Sequence, residues 1–459
     1  MSNLFLIDFN CELIHSIMRS QNISIHTIIV GTKKLKEELE NKYEIQNVFT
    51  IEDIQEFYKK QNFILDYSLL LKYKHTQVKV ENWFQRFTDD FNMTQYLYVT
   101  SLSFWNNYFK VNENIDCIIS SIQEWGSNFD SIILDIAVNN NKKVFVIENT
   151  LVNGNSIKSQ SILNYETKKY VKFDINEFDV INFNSFLHYK QSDKIFNNRI
   201  SYKDILKQFP EKYGGYLLIM FFALLIGKYK SVHNSFNVSW WTYFKNYLYT
   251  KKMLKYYESL SIDINESNQF VFFALHMEPE ATTLARTTFS NQLAIIKSIS
   301  QALPIGWKLY VKEHPRQYTA FNNFKRYYFL AGVHKYRTKM FYDEIIKLPN
   351  VELINLNINS KELIEKSKAI ITINGSIILE SIVQNKPLIL FSQNSTPFST
   401  FEGIFDINNS DELNKAIEKI KDNYSPKYKD LELFINKFMY KVDTTKEFDY
   451  KKVFEGLVS

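Results

Sequence analysis

The chain contains 459 residues, of which 45% are hydrophobic and 23% are charged, so it is an ordinary globular protein, and its length predicts two domains. A net charge of +5 is too small to indicate nucleic-acid binding, although it fits work on anionic substrates or near anionic lipid. Cys11 and Cys117 lack the spacing of a zinc site and suit a reducing cytoplasm. The sequence shows no signal-peptide pattern, and its longest apolar run, residues 216–226, is shorter than the roughly 20 residues of a transmembrane helix.

The first part of the chain alternates between short apolar runs and helical patterns. The predicted strands are residues 27–30, 47–51, 97–100, 116–119 and 143–147, and predicted helices include residues 33–42, 52–60 and 81–92. Strands that alternate with helices indicate βαβ units and a parallel sheet. We therefore expect a Rossmann-like domain over residues 1–190.

Residues 200–262 differ in character, because they are predicted helices rich in aromatic residues and lysine. The stretch from Trp240 to Tyr257 is the most aromatic and basic part of this connecting segment. Two interpretations are open for it: a helix packed between the domains, or an amphipathic helix that docks on the inner membrane.

The alternation of strands and helices resumes after this segment. The predicted strands are residues 270–275, 308–311, 351–354, 369–373, 387–391 and 403–407, and the predicted helices between them include residues 291–302, 360–367 and 377–384. Residues 265–430 thus form a second Rossmann-like domain, and residues 431–459 are predicted to be a helix that packs back across the cleft. Two doubly wound α/β domains facing a central cleft make up the GT-B architecture.

Polar groups follow the predicted strand at residues 308–311. Lys312, Glu313, His314 and Arg316 stand in the turn, where ligands bind to open α/β sheets. Pro315 keeps His314 extended. The imidazole of His314 can donate a hydrogen bond to a phosphate and, when protonated, offset the negative charge that develops on a leaving nucleotide. Lys312, His314 and Arg316 are therefore candidate phosphate-binding residues.

A second polar turn follows the predicted strand at residues 369–373. It contains Asn374, Gly375 and Ser376, and Ser376 is predicted to be the N-cap of the next helix. The amino end of that helix is a potential anion site. Glu380 lies one turn further on, within reach of a ribose or of a capping interaction.

Two further candidates complete the site. The loop after residue 274 is crowded with the polar residues His276, Glu278, Glu280, Thr282, Thr283 and Arg286, which are candidate contacts of the donor sugar or acceptor. In the first domain, Glu148 ends a predicted strand and is a candidate general base for an acceptor hydroxyl. Asp135 and Glu124 are weaker alternatives for that role.

These blocks resemble the bacterial capsule and surface polysaccharide biosynthesis proteins of GT-B type, relatives of the capsule Kdo transferases. The matching blocks are HxxPEATT (residues 276–283), VKEHP (311–315) and TxxGSxxxE (372–380), in the family's order and spacing. The resemblance implies that His314 and Ser376 contact the donor phosphate, and that the donor is a CMP-activated ulosonic acid such as Kdo or a nonulosonic acid. Where many relatives carry an acidic EDG or EEG motif, this chain has Glu148, Asn149 and Thr150, so the identity of the base stays open.

The expected activity is transfer of a sugar from a nucleotide donor to a surface glycan or lipid-linked glycan. Transfer is expected to invert the configuration of the anomeric carbon. It is expected to need neither cofactor nor metal, because no DxD-type motif stands at an obvious strand end. The open alternatives are a UDP- or GDP-sugar transferase, a CDP-glycerol-type polymer transferase, a nucleotide-sugar epimerase and a non-catalytic assembly partner. The expected location is the cytoplasm, with peripheral contact to the inner membrane as a further possibility.

Overall fold

The first sheet of the computed structural model has a parallel core that is extended by antiparallel strands. The structure describes residues 2–8, 14–18, 23–84, 86, 90–121, 130–153, 157–172, 229–230, 237–238, 240–284, 290–314, 316–319, 333–393, 396–428, 440–443 and 457. The strands of this sheet are β1 (Ser2–Ile7), β2 (Ile23–Val30), β3 (Asn47–Thr50), β4 (Cys117–Ser120), β5 (Lys143–Asn153), β6 (Ile157–Asn164), β7 (Lys169–Tyr170) and β16 (Tyr440–Asp443). Their order is β16-β6-β5-β4-β1-β2-β3, with β7 beside β6. The five neighbouring strands β5, β4, β1, β2 and β3 are parallel, whereas β6 is antiparallel to β5. This parallel order, 3-2-1-4-5, is Rossmann-like.

Helices cover both faces of the first sheet. They are α1 (Ile14–Ile17), α2 (Lys33–Lys42), α3 (Ile51–Lys60), α4 (Tyr67–Lys72), α5 (Lys74–Phe84), α6 (Phe91–Val111) and α7 (Asp130–Asn139). One apolar cluster gathers the aromatic residues of α3, α5 and α6, and a second lies on the opposite face. Burial on both faces explains why the central strands are almost uniformly apolar.

The sequence prediction fails at several elements of this first unit, among them the helix over residues 81–92, since one helix ends at Phe84 and the next begins at Phe91. Residues 97–100, predicted to be a strand, lie inside helix α6, which is capped by Asp90. The buried residues Leu97, Ser101, Trp105 and Phe109 recur at helical spacing, and this period outweighs the local β-propensity. The central strand β1, in contrast, was not predicted, because no turn signal or upstream element marks its beginning.

The second sheet is entirely parallel. Its strands are β10 (Gln269–Ala274), β11 (Trp307–Lys312), β12 (Val351–Leu353), β13 (Ile370–Thr372), β14 (Leu388–Leu390) and β15 (Ile404–Asp406). The order β12-β11-β10-β13-β14-β15 corresponds to 3-2-1-4-5-6, the strand order of a Rossmann fold. The topological switch point therefore lies between β10 and β13.

Helices also cover both faces of the second sheet. They are α8 (Trp240–Leu260), α9 (Ala281–Leu284), α10 (Gln292–Ala302), α11 (Arg316–Thr319), α12 (Val333–Tyr336), α13 (Lys339–Ile346), α14 (Ser360–Lys366), α15 (Ile377–Val383) and α16 (Ser410–Lys421). A short pair, β8 (Tyr229–Lys230) and β9 (Asn237–Val238), precedes α8. Met253 and Tyr257 of α8 are buried in the core of this unit, so the described part of that helix packs on the second sheet. Most of the connecting segment before Trp240 lies outside the described residues.

The C-terminal segment returns to the first unit. Strand β16 pairs antiparallel with β6, and Leu457 is buried in the first unit's core. Our prediction of a helix over residues 431–459 is therefore wrong at β16, where Tyr440 and Val442 alternate with Lys441 and Asp443 at the period of a strand. Two Rossmann-like units in one chain, joined again by this return, confirm the predicted GT-B fold class.

Candidate active site

The loops that follow β10 and β13 meet at the switch point of the second sheet. His276 lies two residues beyond β10, and Asn374 lies two residues beyond β13. Two of the three motifs found in the sequence are therefore brought together at the place where open α/β sheets bind their ligands. We call this place the crevice.

His276 joins the two loops through its ring. Its Nε2 accepts the backbone N–H of Asn374 at 3.0 Å and lies 3.0 Å from the Thr372 hydroxyl. Because Nε2 acts as an acceptor, the proton of the neutral ring lies on Nδ1, which is 3.7 Å from the Glu280 carboxylate. Gly375 has φ +100°, and a β-carbon there would lie 3.4 Å from the His276 ring. That distance is an ordinary van der Waals contact, so it is the positive φ that favours glycine at this turn.

Two buried glutamines hold the backbone of the His276 loop. Gln292 accepts from the N–H of His276 at 2.8 Å and donates to its carbonyl at 3.3 Å. Gln317 makes the same pair of bonds to Glu278, at 2.7 and 2.9 Å. Each amide side chain therefore acts like a neighbouring strand, and the loop is fixed at two points. The sequence signal for Gln292 was a polar residue on the buried face of an apolar helix.

Arg337 is the centre of a buried network that sequence reasoning missed. Its guanidinium donates to Glu313 at 2.6 Å, to the carbonyl of His276 at 2.5 Å, and to Glu278. Burial alone would lower the pKa of Arg337, but the two carboxylates raise it. Tyr342 also donates to Glu313, at 2.7 Å. Arg337 thus ties the loop after β10 to the loop after β11.

His314 lies in the crevice as a neutral donor. Burial lowers its pKa to about 4, although the charge of Glu280 acts in the opposite direction. The N–H of Arg316 donates to Nδ1 at 3.1 Å, so the proton of the neutral ring is on Nε2. We expected a protonated imidazole to offset phosphate charge; the ring instead offers one N–H donor near neutral pH.

The other residues of the VKEHP block face different surroundings. Lys312 and Glu313, expected to be presented in the turn, are both buried. The ammonium of Lys312 donates to Ser360 at 3.2 Å, and burial lowers its pKa to about 8. Arg316 begins α11 and is exposed. Among the described residues of this turn, His314 is thus half-buried and Arg316 is exposed.

Ser376 does not cap helix α15. It has helical backbone angles and makes no capping hydrogen bond, and its hydroxyl lies 3.2 Å from Glu380, to which it donates. Asn374 instead accepts the N–H of Gly375 at 2.7 Å. Ser376 thus occupies the predicted N-cap position, but its side chain does not make the capping hydrogen bond. Ser376 nevertheless stays exposed next to the crevice.

The HxxPEATT block separates into an inner and an outer part. Glu278 and Thr283 are buried; Glu278 pairs with Arg337, and Thr283 donates to the carbonyl of Glu280 at 3.2 Å. Glu280 is 35% exposed. Burial alone would raise the pKa of Glu280, but the His276 hydrogen bond and neighbouring positive charges lower it, so it is an anion. Arg286 lies outside the described residues.

In the first unit, Glu148 is a buried carboxyl on β5. Burial raises its pKa to about 7, while a hydrogen bond from Tyr170 and the charge of Lys168 act in the lowering direction. The Tyr170 hydroxyl donates to Glu148 at 2.5 Å. The Tyr170 ring also packs against an apolar cluster of the second unit. Glu148 therefore lies on the side of the first unit that meets the second.

The alternative bases are less suitable or undescribed. Asp135 accepts from Thr76 at 2.6 Å, from Lys79 at 3.0 Å and from Tyr165 at 2.8 Å. Burial alone would raise the pKa of Asp135, but Lys79 and these hydrogen bonds lower it. A carboxylate with three such partners is a structural anion rather than a base. Glu124 lies outside the described residues.

Arg86, which we did not predict from the sequence, places a positive charge of the first unit near the crevice. It is buried just after α5, and α5 contacts α9, the short helix that follows Glu280. The charge of Arg86 is one of those that lower the pKa of Glu280. Residues of both units therefore contribute to the electrostatics around His276, Glu280 and His314.

Two other features are absent from the described residues. The part of the chain that the structure describes contains no group of three or more histidine, cysteine, aspartate or glutamate side chains arranged to hold a metal ion. Within that same part, no helix combines the length and the apolar character needed to cross a bilayer.

The chain is similar to solved structures of other proteins. No protein-family model and no curated protein matches the chain. Similar structures include a UDP-GlcNAc 2-epimerase from Methanocaldococcus jannaschii in complex with UDP-GlcNAc and UDP, with 13% identity, 100% of this chain and 99% of that chain covered, and a TM-score of 0.28. The β-Kdo 2,4 transferase of Thermosulfurimonas dismutans KpsC has 11% identity, 76% and 88% coverage and a TM-score of 0.32. The β-Kdo 2,7 transferase of the same KpsC has 12% identity, 68% of this chain and 79% of that chain covered, and a TM-score of 0.30.

Proposed function

We propose that the protein is a glycosyltransferase that moves a sugar from a nucleotide donor to a glycan acceptor. The observation that carries the proposal is the crevice itself, where His276 joins the loops after β10 and β13 and His314 lies nearby. This is the switch point of a Rossmann sheet, where nucleotides bind. The donor of first choice, a CMP-activated ulosonic acid, rests on the motif resemblance.

In this proposal the second unit binds the nucleotide and its phosphate. Neutral His314 donates its Nε2 proton to a phosphate oxygen, and exposed Arg316 supplies positive charge. His276 holds the two loops at a fixed separation and orients Glu280. The Glu280 carboxylate is placed to accept a hydrogen bond from a hydroxyl of the sugar or ribose. Such donors stabilise the charge on the departing nucleotide without a required metal ion. Activity should therefore be unchanged by EDTA.

The first unit supplies the base. Ionised Glu148 takes the proton of the acceptor hydroxyl while the acceptor oxygen bonds to the anomeric carbon of the sugar. The bond between that carbon and the phosphate oxygen breaks, and its electron pair leaves with the nucleotide. One displacement of this kind inverts the anomeric centre. A pKa near 7 suits Glu148 to this role at neutral pH.

The test is a donor panel assayed with and without acceptor. The wild-type chain is incubated with CMP-, UDP- and GDP-sugars and a lipid-linked or soluble glycan acceptor, and free nucleotide and glycan mass are measured. Acceptor-dependent release of one nucleotide, abolished in Glu148→Gln and His314→Ala, supports the proposal. Conversion of a nucleotide sugar to its epimer without acceptor would replace it with an epimerase, and no turnover of any donor would favour a non-catalytic partner.

A further inference from the structure

The first unit exposes a concentrated apolar surface. Eight of the fourteen large apolar side chains that are exposed in the described part of the chain lie between residues 57 and 96. The most prominent group lies in one stretch around α4, where Ile64 is 92%, Tyr67 75% and Leu71 78% exposed, with Leu65 beside them. Single exposed apolar residues are common, but such a group marks an interaction surface. We call it the 64–71 face.

Helix α4 is apolar on both sides, which is unusual for a helix at a surface. Leu69 and Leu70 pack against the core of the first unit. Tyr67 and Leu71, four residues apart, lie together on the outer side of the same helix. The inner side therefore accounts for the folding of α4, and the outer side is left for a partner.

The charges around this face are mainly positive. Lys59, Lys60, Lys72 and Lys74 are exposed on either side of it, and of these Lys60 pairs with Glu56 at 3.2 Å. The acidic residue within the stretch, Asp66, uses its carboxylate to cap α4, accepting from the N–H of Leu69 at 3.0 Å. Protruding apolar side chains bordered by lysines are suited to an anionic lipid surface, into which the apolar groups insert while the ammonium groups stay among the headgroups.

We propose that the 64–71 face docks the protein on an anionic lipid bilayer. The stretch from Trp240 to Tyr257, in which the sequence suggested a membrane-binding helix, is the less suitable candidate, because Met253 and Tyr257 are buried against the second sheet. Helix α5 starts at Lys74 beside the face and ends near Arg86 at the crevice. Its eleven residues span about 17 Å. The glycan of a lipid-linked acceptor held at the face has to cover about this distance to reach the site, and this last step alone rests on the proposed function.

Vesicle sedimentation with the full chain tests the docking directly, with no donor present. We expect binding to vesicles of phosphatidylcholine with about 30% phosphatidylglycerol, weaker binding to phosphatidylcholine alone, and loss of binding as salt increases. The double variant Ile64→Ser/Leu71→Ser should bind at least about tenfold more weakly. The matched control is Ile305→Ser, because Ile305 is fully exposed on the second unit and should not affect binding.

Two results would overturn the proposal. One is equal sedimentation of the wild-type chain and the double variant, or no sedimentation of either. The other is a concentration-dependent dimer of the wild-type chain that the double variant abolishes in light scattering, because the face would then bind a second copy. Circular dichroism confirms that the double variant is folded. Donor turnover with a soluble acceptor should be unchanged in it, so a failure of docking is distinguishable from a failure of the proposed glycosyltransferase function.

Discussion

His314 shows how burial changes the chemistry expected of a residue. The sequence places an imidazole after β11, and an unperturbed histidine titrates near neutral pH. Burial lowers the pKa to about 4, and the N–H of Arg316 fixes the tautomer. The residue thus becomes a hydrogen-bond donor of constant charge across the physiological range.

Substitution of His314 should follow this donor role. His314→Ala should lower turnover about a hundredfold, because it removes a donor to the developing charge. His314→Gln places an amide N–H near the position of Nε2 and should retain more activity than the alanine variant. Steady-state rates of the two variants on the best donor provide the measurement; equal losses would contradict a donor role.

Glu148 and Tyr170 should together determine the pH profile. Since burial raises the pKa of Glu148 to about 7, the ionised base becomes available as pH rises through 7, and turnover should increase there and then level off. The Tyr170 hydrogen bond favours the ionised carboxyl, so Tyr170→Phe should move this limb to higher pH. The pH dependence of kcat for both proteins is the measurement. A limb that stays in place in Tyr170→Phe would show that another group titrates.

Gly375 and Gly306 form a matched pair for testing the contact with His276. Both have positive φ, +100° and +86°, but a β-carbon at Gly306 would meet nothing within 4 Å. Either alanine variant should lose about 1–2 kcal/mol of unfolding free energy through backbone strain. Gly375→Ala alone brings its β-carbon into contact with the His276 ring, so relaxation of the strained backbone there should disturb that ring and weaken stabilisation by nucleotide. Denaturant titrations and melts with nucleotide would reveal the difference, and equal nucleotide effects would refute the role of the contact.

At the scale of elements, periodicity predicted most of the second unit and part of the first. Strands bounded by polar turns, such as β11 and β13, were found because both faces are apolar. Residues 97–100 were misassigned because Tyr98, Val99 and Thr100 favour strands locally, whereas packing of α6 depends on residues further along. Long-range partners such as Arg337 with Glu278 and Glu313 carry no local pattern, so the sequence could not reveal them.

The Arg337 network should hold the loops after β10 and β11 in place. Arg337→Ala leaves two buried carboxylates without their cation and should lower the free energy of unfolding by about 3–5 kcal/mol. Lys366→Ala removes an exposed cation that also contacts two carboxylates, and should change stability little. Urea unfolding compares the variants. Similar small losses in both would mean that the buried network contributes no more than surface charges do.

At the scale of the whole molecule, we propose that the two units hold complementary parts of the site. The motifs of the second unit were readable from sequence because they are short and local. In the first unit the sequence indicated Glu148 at the end of a strand, but not Arg86 or Tyr170. The roles that we propose for these residues depend on how the first unit approaches the second, and no local pattern encodes this approach. The return of β16 to β6 joins the units through the chain's C-terminal segment.

Thermal melting with free CMP, CDP, UDP and GDP tests most directly the central claim, that the crevice of the second unit binds a nucleotide. A nucleotide at 100 times its dissociation constant adds about 2.7 kcal/mol, enough for a clear shift in Tm. We predict that one nucleotide raises Tm in the wild-type chain and that His276→Ala loses the shift. A Tm unaffected by all four nucleotides, or a shift that survives in His276→Ala, would contradict a nucleotide site at this crevice.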